Sequence, residues 1–167
     1  IFGVKMGDMM VQVGPRVLVV NVDNYPGWAK FYPVIRNVLD NTATLRNKTE
    51  RIGFRTINFF EGQDIEKSLI TTVQNGLDLQ KTSCNFSLVY KDNDCRTRFS
   101  FSNDAKMSKN GQAEKLGSFI DVDSFFEGNP ENVDGTINYL HTLAKKVFFE
   151  SLKQEFVDSM GPVYGDN

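Results

Sequence analysis

Two aspartates separated by one residue are the first candidates for chemistry in this sequence. Asp121 and Asp123 flank a valine, and Glu127 follows four residues later. Because alternate residues of a strand point to the same face, the two carboxylates would project together and could bind Mg²⁺ or Ca²⁺ in a hydrolase or nuclease. An exposed strand face explains the same pattern without a ligand. We therefore predict no cofactor and keep Asp121 and Asp123 as the candidate metal ligands.

The remaining nucleophilic and titratable candidates are one histidine and two cysteines. His141 lies four residues after Ile137 at the edge of an apolar helical stripe, where a histidine is usually a packing residue rather than a base. Cys84 and Cys95 have no motif that would activate a thiol, and three scattered His and Cys residues do not form a zinc pattern. We predict two reduced thiols and no catalytic residue, and we favour a non-enzymatic protein over an enzyme.

Four arginines occupy alternating positions of two predicted strands: Arg51 and Arg55 in one, Arg96 and Arg98 in the other. With aromatic neighbours they could bind nucleic acid or another anion, but a solvated sheet face gives the same pattern. The net charge of −2 argues against a general polyanion binder, so nucleic acid is not the favoured partner. The candidate residues for contact with a ligand or partner are Arg51, Arg55, Asn58, Arg96, Arg98 and His141.

Strand periodicity positions these side chains. Arg51–Phe60 alternates so that Arg51 and Arg55 share one face and Asn58 lies on the other. Ser83–Phe101 is predicted to be a hairpin with Asn93-Asp94 as a two-residue turn, or Asp92–Cys95 as a four-residue turn. Alignment of its apolar faces pairs Phe86 with Phe101, Leu88 with Phe99 and Tyr90 with Thr97. In that register Cys84 and Cys95 are roughly 27 Å apart, beyond the reach of a disulfide.

The other predicted elements complete an α+β fold. In chain order they are a hairpin or sharply turned strand over Met9–Val22, a helix from Trp28 to Leu39 that Pro33 kinks or restarts, a short helix Gly62–Ile70, an irregular segment Thr71–Lys81, a polar loop Asn103–Gly117, a short strand Ser118–Asp123, a long helix Glu131–Glu150, and its continuation or a second helix over Leu152–Met160. The order β-β-α-β-(α)-β-β-β-α predicts a mainly antiparallel sheet with one face covered by the N-terminal helix and the long C-terminal helix.

Composition is that of a soluble globular domain. The 167 residues suit one domain, with 40% hydrophobic and 24% charged residues and 14 phenylalanines for a core. No apolar run approaches the roughly 20 residues that cross a bilayer, so we expect no membrane partner and a cytoplasmic location. Ile1 is not an initiator methionine, which suggests a longer natural N-terminus.

Three segments resemble a sporadically distributed family of uncharacterised bacterial proteins, a domain of unknown function. They are Tyr25–Trp28 at a helix start, the strand R-I-G-F-R-T-I-N of Arg51–Asn58, and Leu140-His141 with Phe148 in the C-terminal helix. The family strand has the form R-I-G-L-R-Y-x-N, and the similarity spans most of Val11–Gly161.

The resemblance implies no activity, but it identifies residues that this chain shares with the family pattern. Family members begin with a further strand-containing segment, which implies that residues 1–167 form a single α+β domain lacking part of its N-terminus. We expect the face with Arg51 and Arg55 to meet that segment. Thr56 departs from the pattern, which usually has tyrosine there. The positions shared with the family pattern are Arg51, Gly53, Arg55, Asn58 and His141.

These observations favour a non-enzymatic binding or protein-interaction domain with a protein or small-molecule partner. One alternative is a helix-grip-like domain whose small-molecule pocket lies beneath Ile137–Phe148. Another is a divalent-metal-dependent hydrolase or nuclease that uses Asp121, Asp123 and Glu127. A homodimer through an exposed edge strand such as Met9–Val13 is a further possibility.

Overall fold

The computed structural model describes residues 2–43, 49–71, 82–108 and 113–161. Contacts divide the chain into two compact units, Ile1–Thr49 and Glu50–Asn167, and each unit is described by itself. The described residues contain seven strands, which form antiparallel sheets, and three helices. The α+β class is therefore confirmed, while a single domain over residues 1–167 stays a prediction.

The first unit contains a three-stranded antiparallel meander followed by one helix. Its elements are β1 Phe2–Met6, β2 Met9–Gly14, β3 Val17–Val22 and α1 Trp28–Asn41. The predicted hairpin over Met9–Val22 is confirmed, and Pro15-Arg16 lies between its paired strands. The helix runs without interruption through Pro33 and buries Phe31 and Ile35.

Strand β2 is not an edge strand, so the predicted dimer edge Met9–Val13 is wrong. β1 pairs with β2 on one side, with Phe2 opposite Val13, and β3 pairs with it on the other. The error arose because the short β1 was not recognised. Its residues do alternate, with apolar Phe2, Val4 and Met6 separated by Gly3 and Lys5, but this strand signal covers only five residues.

The second unit is a four-stranded antiparallel sheet with helices. Its elements are β4 Arg51–Glu61, β5 Asn85–Asp92, β6 Cys95–Met107, β7 Lys115–Glu127, α2 Val133–Glu150 and α3 Gln154–Ser159, with one 3-10 turn at Glu66–Ser68. The strand order is β4-β7-β6-β5, so β4 and β5 are the outer strands. The predicted helix Gly62–Ile70 is reduced to the 3-10 turn, and 72–81 of the predicted irregular segment lie outside the described residues.

The β5–β6 hairpin confirms the register predicted from its apolar faces. Phe86 lies opposite Phe101, and the shorter, two-residue turn closes it, with Asn93 at a positive φ of 52°. Cys84 and Cys95 form no disulfide and are buried at opposite ends of the hairpin. Matching apolar faces was sufficient here because one face of the sheet is buried.

Strands β6 and β7 are longer than predicted. Most of the predicted loop Asn103–Gly117 continues the two strands, which pair again beyond an irregularity between Ser102 and Ala105. β7 also runs past the predicted end at Asp123, to Glu127. The strand requires glycine at Gly117, because a Cβ there would overlap the backbone carbonyl oxygen of Phe60. Polar residues on the exposed face gave these strand ends the composition of a loop.

Helix α2 covers one face of the four-stranded sheet, called here the inner face. It contacts β7, β4 and β6, and begins where the Asn132 side chain accepts a hydrogen bond of 2.9 Å from the Gly135 N–H. Leu140 and Ala144 of α2 are buried, as are most of the inner-face residues of β6 and β7. The predicted long C-terminal helix is thus confirmed; α1 belongs to the first unit.

Candidate functional site

The four arginines share the face of the sheet opposite α2, called here the outer face. Arg51 and Arg55 alternate with inner-face residues along β4, as predicted. In the ladder, Arg55 lies opposite Asp123 of β7, and Asp123 lies opposite Arg98 of β6. Directly opposed residues of antiparallel strands share a face, so the arginines of both strands come together.

Carboxylates of β7 neutralise most of this charge. Arg51 Nη2 donates to Asp123 Oδ2 at 2.8 Å. Arg55 donates to both oxygens of Asp121, at 2.8 Å through Nε and 2.7 Å through Nη2. This bidentate hydrogen bond is the main cause that raises the pKa of the Arg55 guanidinium above its ordinary value. The outer face therefore carries ion pairs between neighbouring strands rather than a basic patch.

The candidate metal ligands are held by arginines. Asp121 and Asp123 do project from one face of β7, as their spacing predicted, and Glu127 accepts from Arg96 at 3.1 Å. Across the described ranges, no group of three or more His, Cys, Asp or Glu residues is placed to hold a metal ion. The geometry assigns these carboxylates to ion pairs between strands.

Phe125 is an outer-face residue that sequence reasoning missed. It is only 7% exposed although it points away from α2, because the Arg51 guanidinium lies 4.5 Å from the centre of its ring. Gly53 stands directly opposite on β4 and leaves room for this contact. Since Phe125 and Phe126 are adjacent, they must face opposite sides of the strand, and that doublet was the available signal.

Arg98 differs from the other three arginines. Among the described residues it has no ion-pair or hydrogen-bond partner, although it stands opposite Asp123 in the ladder. Its neighbour on β5 is Val89, which is 60% exposed, and Ile57 on β4 is 56% exposed. The outer face thus combines exposed aliphatic side chains with Arg98, a cation that has no such partner among the described residues.

His141 and Asn58 lie on the inner side of the sheet, apart from the arginines. The His141 ring packs edge-on against Phe54, with 5.2 Å between ring centres. Burial, and then the nearby Lys145 charge, lower the pKa of His141. Asn58 is half-buried opposite Ile120. The six candidate contact residues therefore do not form one site.

A cleft of about 320 Å³ opens between α2 and the β5–β6 hairpin. Tyr90, Lys91, Leu143, Lys146 and Glu150 contribute to its walls. It lies beside α2, whereas the inner-face side chains under the helix are buried and packed in two apolar clusters. A small-molecule pocket would therefore lie at the edge of the helix rather than in the core beneath it.

Comparisons with known proteins add no assignment. The chain matches no protein-family model, no curated protein and no solved structure. Among the described helices, none is both long and apolar enough to span a membrane.

Proposed function

We propose that this chain is a non-enzymatic protein-interaction domain of the bacterial cytoplasm, and that it binds its partner through the outer face of the four-stranded sheet. The observation that carries the proposal is the combination of exposed Val89 and Ile57 with the unpaired Arg98. Arginine is enriched among the residues that dominate binding energy in protein interfaces, and the fully buried core of an interface is apolar. The partner surface would supply apolar side chains and a carboxylate for Arg98.

The ion pairs support this role because they restrict the motion of the arginine side chains on the outer face. Arg55 and Arg51 are held by carboxylates of the neighbouring strand, so binding would immobilise few additional side chains. A rigid, mixed surface favours specificity, because a wrong partner would leave charges unpaired.

A second function, binding of a small molecule, is favoured by the cleft beside α2. Its volume of about 320 Å³ falls at the lower end of the range for ligand sites. Lys146 and Glu150 on one wall suit a ligand that carries both charges. The two proposals use different residues and can be separated by mutation.

The test compares variants of the two surfaces. A partner would first be identified by crosslinking in the source cells, then purified, and its Kd measured by calorimetry. We expect Val89→Asp and Arg98→Glu each to raise Kd at least about tenfold, the effect of losing roughly 1.4 kcal/mol at an interface hot spot. The matched control Lys146→Glu should leave Kd unchanged. If only the control variant weakens binding, the outer face is not the interaction surface.

A further inference from the structure

Within the described residues, strand β4 has a ladder partner on one side only, and its other side is called here the free edge. Its partner in the described sheet is β7, with eleven consecutive residue pairs from Arg51–Glu127 to Glu61–Gly117 and no irregularity. Because the other side of β4 is the end of the sheet, half of its backbone N–H and C=O groups have no ladder partner.

Two hydrogen bonds identify which residues face that edge. Gly128 N donates to Glu50 O at 2.8 Å, and Gly62 N donates to Leu116 O at 2.8 Å. Both pairs continue the register between β4 and β7, and both join even-numbered residues. Because hydrogen-bonded pairs alternate along antiparallel strands, the backbone groups of the even-numbered residues of β4 bond to β7. The odd-numbered residues direct their backbone groups to the free edge. They are Arg51, Gly53, Arg55, Ile57, Phe59 and Glu61.

Several of the usual devices that protect an edge strand are missing from β4. Its eleven residues include no proline and no lysine, and its pairing with β7 contains no bulge. The charges of Arg51, Arg55 and Glu61 are each balanced by a residue of β7, so they do not repel a second strand: Asp123, Asp121 and Lys115 are their partners. Inner-face residues of β4 such as Phe54 are half-buried, whereas most of those of β6 and β7 are buried. An added strand would complete that burial.

We propose that β4 pairs with β4 of a second copy of this chain, antiparallel and centred on Thr56. This register places Arg51 opposite Glu61 of the partner subunit at both ends of the interface. It also places Gly53 opposite Phe59 of the partner subunit, and Arg55 opposite Ile57 of the partner subunit. All six edge-facing residues then exchange backbone hydrogen bonds, and the two-fold axis keeps α2 of both copies on the same side of one eight-stranded sheet.

Charge complementarity selects this register over its neighbours. A pairing centred on Arg55 would place two Arg55 side chains opposite each other, which is destabilising. A pairing centred on Ile57 would leave Arg51 without an opposite residue in β4. A pairing centred on Asn58 would also match Arg55 with Glu61, but it would pair only four of the six edge-facing residues. The register centred on Thr56 pairs all six and matches opposite charges at both ends. It uses the strand edge rather than the outer face, so it does not depend on the proposed function.

The first test is a disulfide across the two-fold axis. In the proposed register Thr56 lies opposite its own copy at a Cα separation of about 4.5 Å, within disulfide range. Under mild oxidation Thr56→Cys should give a covalent dimer on a non-reducing gel. The matched control Asn58→Cys should not, because the two copies of that position are four residues, about 13 Å, apart. The wild-type chain, whose two cysteines are buried, should remain uncrosslinked.

The second test measures the dimer itself. Sedimentation equilibrium of the full chain should give a mass approaching twice 18.9 kDa at the highest soluble concentration. Ile57→Pro removes an edge-directed N–H without removing a hydrogen bond to β7. It should raise the dimer Kd about 30-fold, because each dimer loses two backbone hydrogen bonds. Ile57→Ala, which keeps the N–H, is the control and should raise Kd much less.

Three results would overturn the proposal. They are a monomer mass at every concentration, a disulfide that forms with Asn58→Cys but not with Thr56→Cys, and equal Kd values for Ile57→Pro and Ile57→Ala with both variants folded by circular dichroism. The charge variant Glu61→Arg adds a check that does not alter the backbone. It should weaken the dimer, because it places like charges opposite each other at both ends.

Discussion

The two faces of the four-stranded sheet solve the same packing problem in different ways. On the inner face Ile120 and Val122 are fully buried beneath the layer that includes α2, and the polar residues Thr97 and Ser124 bond to each other at 2.8 Å. On the outer face, charged pairs hold the strands together and a guanidinium shields Phe125. The difference teaches that stability comes mainly from one face, which leaves the side chains of the other available for binding.

The largest effect should come from the inner face. Leu140 has no exposed surface, so Leu140→Ala should lower the free energy of unfolding by about 2–5 kcal/mol through lost burial and a new cavity. Urea denaturation measures the change. The control Leu116→Ala, at a position 58% exposed, should change it by less than about 0.5 kcal/mol. Equal losses in the two variants would show that burial does not determine how much each leucine contributes to stability.

The buried hydroxyl pair should give the next largest effect. Ser124→Ala leaves the Thr97 hydroxyl without this partner in a buried position and should cost about 1–3 kcal/mol. The double variant Thr97→Val/Ser124→Ala removes both polar groups and should be less destabilised than the single variant. Thermal unfolding of the three proteins measures the difference, and additive losses would contradict this account.

Ion pairs on the outer face should contribute less. Arg55→Ala should cost at most about 1 kcal/mol, because the guanidinium is largely exposed even though it is bidentate. A double-mutant cycle with Asp121→Ala would isolate the coupling energy, and that energy should decrease as salt is added. A coupling energy as large as the stability lost in Leu140→Ala would contradict the conclusion that the inner face contributes most of the stability.

The smallest effect should be a pH dependence from His141, whose ring is only half-buried. Its pKa in the folded protein is lowered from the ordinary value of 6.5, so the unfolded chain binds the proton more readily. This contribution to stability is complete above about pH 6.5 and is lost as pH falls through the folded-state pKa. Unfolding of the wild type and His141→Gln between pH 5 and 8 (about one unit or more either side of that value) should show a steeper acid loss in the wild type.

Sequence reasoning succeeded where a residue's neighbours are close in the chain. The register of the β5–β6 hairpin followed from the matching of Phe86 with Phe101 across a two-residue turn. The alternation that separates Arg51 and Arg55 from Asn58 also needed only the period of a strand. Helix α2 followed from its apolar stripe.

The same reasoning failed where the partner is distant. The pairing of Arg55 with Asp121 joins residues 66 apart, and nothing local shows that β4 lies beside β7. As a result Asp121 was weighed as a metal ligand rather than as the partner of an arginine. The polar ends of β6 and β7 were taken for a loop because their pairing depends on each other and on Gly117 next to Phe60.

The position of β4 also has a consequence for how the second unit folds. Strands β5 and β6 meet through a two-residue turn, whereas β4 pairs with a strand that is complete only some 70 residues later in the chain. Closing the longer loop costs more chain entropy, and non-local pairing slows folding. We expect the β5–β6 hairpin to form early and the docking of β4 to limit the refolding rate. On a ribosome, β4 would be the first strand of the second unit to emerge and would remain unpaired until β7 had been synthesised.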